Sequence, residues 1–171
     1  METAAEPEPA RPMLLILWHS RTGAARAMAE AALQGAVGEG DARLLAAADA
    51  HAGDILAAQG YLFVCPENLG AMSGAMKEFF DRSYYPLLVQ IEGRPFATVI
   101  AAGSDGSGAE RQIERIVTGW RLRRIAEGLI VNMQAQTPEA ILAPKTVPPT
   151  ALQKCHDLGQ SFGAGLAMGL F

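Results

Sequence analysis

The sequence has little from which to build a metal centre or a disulfide framework. Its 171 residues include only two cysteines and three histidines. Cys65 and Cys155 lie far apart and match no metal spacing, and His19, His51 and His156 show none either, so no metal site is expected. Cys65 falls in an apolar run and reads as a buried thiol of a reducing compartment. A basic excess is also missing. Fourteen Lys and Arg against 18 Asp and Glu leave a formal net charge of −4, which gives no hold on nucleic acid or an anionic membrane. No apolar run reaches the roughly 20 residues of a membrane span, and no secretory signal is visible. Neither nucleic-acid binding nor membrane insertion is therefore expected, and a cytoplasmic location follows by default.

What is present is ample apolar material: 50% of the residues are hydrophobic, enough for a sizeable core. Residues 1–12 are acidic and proline-rich and read as a disordered tail, leaving 13–171 as one domain. Met13 to Trp18 is a continuous apolar run, the pattern of a central parallel strand covered on both faces. An alanine-rich helix is expected over Ala24–Val37, a weaker strand over Arg43–Ala47 and a short helix over Asp49–Ala58. A third strand, Tyr61–Cys65, should stop at Pro66, and Ser73 should cap a helix running to about Arg82. Pro95–Ala102 reads as the fourth strand, Ala109–Trp120 as a helix, Ile125–Met133 as the fifth strand, and a last helix starts near Thr150. Between them, residues 134–149 hold four prolines and little periodicity, a connection long enough to be functional or an interface.

Strands alternating with helices imply an α/β fold, a five-stranded parallel sheet sandwiched between helix layers in the order 2-1-3-4-5. In that order the sheet reverses between its first and third strands, and ligands bind at the carboxyl ends beside this switch point. Three glycine-bearing loops fall there: 19–24, 66–74 and 103–108. In the first, Ser20 and Thr22 offer hydroxyls, Gly23 lets the backbone come close, and the following helix presents free N–H groups to a phosphate monoester. The loop lacks the Gly-Lys-Ser/Thr ending of nucleoside triphosphate sites. A phospho-acceptor receiver would need aspartates where Trp18-His19 and Cys65-Pro66 stand, and a cysteine-based phosphatase would need arginine at position 71, which is Ala71.

His19-Ser20-Arg21-Thr22-Gly23 after an apolar strand resembles the Ser/Thr-x-Thr-Gly-x-Thr phosphate loop of flavodoxins. The stretch Pro66 to Asp81 resembles the second flavin loop and helix of NAD(P)H-dependent FMN reductases and related quinone reductases. The resemblance implies a flavodoxin-like fold with FMN as cofactor and NAD(P)H as co-substrate. It places the phosphate on His19, Ser20, Arg21, Thr22, Gly23, Ala24 and Ala25, where Ala25 stands in place of the family's last hydroxyl. Pro66, Glu67, Asn68, Leu69, Gly70, Ala71, Met72 and Ser73 would edge the isoalloxazine ring, and Gly103, Ser104, Asp105 and Gly106 would approach it from the fourth strand. No side chain is assigned as catalytic acid or base, since the flavin carries the hydride. The implied reaction takes hydride from NAD(P)H to a small-molecule acceptor such as a quinone or a free flavin. Two alternatives stay open: a flavodoxin-type electron carrier, which would carry an acidic rim, and a flavin-free binding module, for which Ala25 argues.

The remaining features have plainer readings. Tyr84 and Tyr85 are expected to pack against Pro86 after the third helix, and Arg121, Arg123 and Arg124 to form a solvated helix end. Asp105 is as well suited to bracing its glycine-rich turn as to touching a flavin. The apolar C-terminal helix and segment 134–149 could supply the contact of a homodimer or homotetramer.

Overall fold

Alternation along the strands sorts the apolar side chains into two layers. The computed structural model describes residues 10–171, so residues 1–9 of the expected tail lie outside it. In β1 (Met13–Trp18), Leu14 and Ile16 face one side while Leu15 and Leu17 face the other, all four fully buried. The other parallel strands are β2 (Asp41–Ala46), β3 (Gly60–Asn68), β5 (Pro95–Ala102) and the pair β6 (Arg123–Arg124) and β7 (Leu129–Asn132). The order is β2-β1-β3-β5, with β6 and β7 both on the outer edge of β5 and a two-residue β4 (Ala71–Met72) folded back on β3. This is the flavodoxin-like order, and its chain reversal falls between β1 and β3.

Helices α1 (Ala24–Val37) and α6 (Pro149–Ala167) cover one face of the sheet. On the other face lie α2 (Ala52–Ala57), α3 (Gly74–Leu87) and α4 (Ser107–Gly119), over an aromatic cluster of Tyr61, Phe63, Phe79, Phe80, Phe96 and Trp120. The α1–α6 seam is built of small residues. A Cβ added at Gly159 would collide with the Ala32 carbonyl oxygen, and one at Gly35 with that of His156. The small-residue face of α6 is thus packed against α1 within the chain.

Several boundaries differ from expectation for identifiable reasons. Pro66 does not stop the third strand, which runs on to Asn68. Backbone groups of Val64 and Pro66 point to the same side of the strand, and Val64 accepts from His19 N–H just past the last residue of β1. The proline nitrogen therefore faces a place where β1 has ended and no donor is required. The fifth strand is split rather than continuous, because residues 125–128 leave the ladder between β6 and β7. Helix α3 continues past Arg82 to Leu87 and includes both tyrosines. Tyr84 stacks on Trp120 (centroids 5.8 Å apart), whose indole N–H donates to the Tyr84 carbonyl at 2.9 Å, while Tyr85 stays exposed. Arg124 is not part of a solvated helix end: it lies over the Phe96 ring and pairs with Glu110 and Glu114 at 2.5 and 3.1 Å. Segment 134–149 contains a short α5 (Pro138–Leu142), with Thr137 accepting from Ala140 N–H as its cap.

Candidate functional site

A cleft opens at the carboxyl ends of β1, β3 and β5, the position the topology favours for a ligand. From the first loop it is lined by Ser20, Arg21, Thr22, Ala24 and Ala25; from the second by Pro66, Glu67 and Asn68; and from the third by Gly103. Its remaining walls come from residues without a local signal in the sequence: Ala101, Ala102, Met133, Ala135 and, on segment 134–149, Ile141, Leu142 and Lys145.

The first loop is shaped by Gly23, whose φ of 98° suits glycine and which sits at the N-cap of α1 without a side-chain cap. Ser20 Oγ accepts from Gly23 N–H at 3.1 Å and closes the turn. The first-turn amides of α1, at Ala24, Ala25 and Arg26, have no partner within the helix. With the helix dipole behind them they form a donor set for an oxyanion. Ala25 is buried and presents only its backbone.

The second loop is a hairpin. Glu67 and Asn68 pair with Met72 and Ala71, and the turn residues Leu69 and Gly70 both have positive φ, 53° and 76°. That is the geometry of a type I′ turn, in which leucine is strained. The Leu69 side chain is fully exposed at the tip.

The second and third loops are fastened together by Glu67. Its Oε1 accepts from Gly106 N–H at 2.9 Å and its Oε2 from Ala109 N–H at 3.0 Å, so the carboxylate caps α4 from another strand. Gln112 Oε1 accepts from Met72 N–H at 2.9 Å, and a Cβ at Gly108 would collide with the Gly70 carbonyl oxygen. The charge of Glu67 is thus engaged by the α4 N-terminus. Asp105 takes the bracing role: it accepts from Ser107 N–H and Oγ, contacts that hold its carboxyl below the usual range, and it is fully exposed. Ser104 carbonyl accepts from the Asn132 side chain, tying the third loop to the end of β7.

Two assigned residues lie behind the cleft rather than in it. Ser73 occupies the N-cap position of α3 but does not cap with its side chain. Its fully buried hydroxyl meets His19 Nδ1 at 2.8 Å instead, joining the first and second loops. Partial burial, with Arg21 nearby, lowers the His19 pKa below its usual 6.5 and so favours the neutral ring. Cys65, beneath Ser73, is pushed up to about 12 by burial and is an inert thiol. Among the described residues no cluster of three or more His, Cys, Asp or Glu could hold a metal ion, and no helix is long and apolar enough to cross a membrane.

Comparison with known proteins places this geometry in a family. The NADPH-dependent FMN reductase family matches residues 39–135, more than half of the chain and including the second and third loops. A flavodoxin from Aquifex aeolicus is 34% identical over 107 residues, which is 61% of this chain and 58% of that protein. Among solved structures, a flavodoxin from the domain Archaea superposes with a TM-score of 0.72 at 16% identity, covering 90% of this chain and 98% of the other. A WrbA-like flavodoxin from Agrobacterium tumefaciens gives 0.70 at 19% identity, covering 92% and 96%. The chain belongs to the NADPH-dependent FMN reductase family, flavoproteins of flavodoxin-like fold.

Proposed function

We propose that the chain binds FMN across the three loops and uses it, as an NAD(P)H-dependent oxidoreductase, to reduce a small acceptor such as a quinone or a free flavin. The observation that carries this reading is the cleft itself. Unpartnered first-turn amides of α1 meet Ser20, Thr22 and Arg21 at one end, and the Glu67–Met72 hairpin lies at the other, both at the switch point. The donor set suits a phosphate monoester, and backbone-rich walls suit a flat ring held by its edges. When bound, FMN supplies the two-electron chemistry, and the residues of this chain orient it.

Each loop has a separate task in that arrangement. Residues Ser20–Ala25 hold the phosphate, Asn68–Gly70 present backbone groups to the ring edge, and the Glu67 bridge keeps the second and third loops at a fixed separation. Leu69 places exposed apolar surface at the rim, where it would shield a ring face from water. An electron carrier is the second reading, since the relatives named above are flavodoxins. A carrier is expected to surround its flavin with free acidic groups for docking. Of the two acids near the loops, Glu67 is engaged by α4 and Asp105 braces its turn, and Arg21 lines the cleft with Glu67, which favours the enzyme.

Steady-state consumption of NADH and NADPH by the FMN-loaded protein, with and without a quinone, separates the readings. Acceptor-dependent turnover supports the oxidoreductase. Stoichiometric FMN without turnover supports the carrier, and failure to take up FMN defeats both.

A further inference from the structure

The segment 134–149 does more than connect β7 to α6. Its Lys145 N–H donates to the Thr22 carbonyl at 2.8 Å, and the Lys145 carbonyl packs 3.9 Å from where a Cβ of Gly23 would stand. The segment is therefore laid directly on the first loop, anchored by buried Ala135 and Val147 on either side of α5. The first loop, and the strap beyond Ala135, lie outside residues 39–135, the stretch the family match covers.

Charge at the cleft is one-sided. Lys145 and Arg21 both line it, and neither has an ion-pair partner among the described residues. The positive end of α1 points the same way. Glu67 is the one carboxylate lining the cleft, and both its oxygens accept from α4 amides. The Lys145 ammonium is held by the carbonyls of Ala140, Ile141 and Ala143 at 2.6, 2.9 and 2.6 Å, at the carbonyl end of α5, with no carboxylate paired to it among the described residues. Two cations and a helix N-terminus around one cleft, against a single carboxylate already bonded to backbone amides, suit a multiply charged anion.

We propose that Lys145, delivered by the strap, is the counter-charge for the FMN phosphate and replaces the contact that Ala25 cannot make. The side chain exchanges an α5 carbonyl for a phosphate oxygen. Its flexible four-carbon stem starts beside Thr22, so the exchange needs rotamer changes rather than movement of the strap. Ile141 and Leu142, which line the same cleft, then close over the phosphate end of the ligand. The strap thereby makes the site selective for the phosphorylated flavin over riboflavin. This inference rests on the FMN reading above.

The test compares FMN and riboflavin binding to the apoprotein, followed by quenching of flavin fluorescence, for wild type, Lys145→Met and Lys145→Arg. Loss of a charge-assisted contact should weaken FMN roughly 10- to 100-fold in Lys145→Met, leave riboflavin within about twofold, and be largely restored in Lys145→Arg. The salt dependence of FMN binding should be shallower in Lys145→Met. Equal weakening of both flavins would show that Lys145 only holds α5 together, and unchanged FMN affinity would show that it is not the counter-charge. Either result overturns this proposal while leaving FMN as the ligand, whereas a wild-type protein that takes up no FMN removes the underlying reading as well.

Discussion

Replacing Glu67 with alanine removes the group that joins the second and third loops. Two hydrogen bonds are lost at once, from Gly106 N–H at 2.9 Å and Ala109 N–H at 3.0 Å, both partly shielded from water. Helix α4 has no side-chain cap of its own at Gly106, so its first turn is left without a substitute acceptor. Loss of a cap alone costs about 0.5–2 kcal/mol, and bonds to a charged acceptor are worth about 1.5–3 kcal/mol each when intact. Water reaches part of this site after truncation, so a net destabilisation of about 2–3 kcal/mol is expected. For a domain of this size that corresponds to a Tm lowered by about 5–10 °C. Glu67→Gln keeps one acceptor but sets its amide NH₂ against a backbone N–H, so its loss should be intermediate. The assay is thermal unfolding of the apoprotein by circular dichroism, so that ligand binding does not enter. A Tm within about 1 °C of wild type for Glu67→Ala would refute the bridge as a stabilising element.

Further outcomes follow from the packing and from the titrating groups. Gly159→Ala should destabilise by about 1–3 kcal/mol, because its Cβ would meet the Ala32 carbonyl. Gly53→Ala, in α2 with nothing near the added Cβ, should stabilise by about 0.5–1 kcal/mol, and urea unfolding of the two variants reads both signs. For His19 the folded pKa lies below the unfolded 6.5, so the unfolded chain binds more protons as pH falls. Its contribution is present above 6.5 and is lost as pH falls through the lowered folded pKa. His19→Asn, which keeps an acceptor for Ser73, should flatten that part of the stability–pH profile. Burial holds the Cys65 and Cys155 thiols at about 12 and 11, so neither should react with a thiol reagent at pH 8 until the protein is unfolded.

The parts of the fold that were legible in the sequence are those whose signal is local. The apolar runs Met13–Trp18 and Pro95–Ala102 appear as strands with the expected limits, and Ala24–Val37 as the expected helix. Pro66 misled because a proline ends a strand only when its missing donor faces a neighbour, and that depends on where β1 stops. The split fifth strand was hidden because Arg123 and Arg124 carry no strand pattern; Arg124 is held by Glu110, Glu114 and Phe96. At the site, glycines and hydroxyls near strand ends pointed to the three loops. The bonds that fasten them did not show, because Glu67 finds its amides about 40 residues away and Lys145 meets Thr22 across most of the chain. Ser73 stands where a cap belongs, yet the half-buried His19 ring competes for its hydroxyl.

Whether the cleft at the switch point holds FMN by its phosphate is decided by calorimetric titration of the apoprotein with FMN and with riboflavin. One FMN is expected per chain, with riboflavin weaker by about tenfold or more and FMN binding that weakens with added inorganic phosphate. Equal affinity for the two flavins, or no uptake of FMN at all, would contradict it.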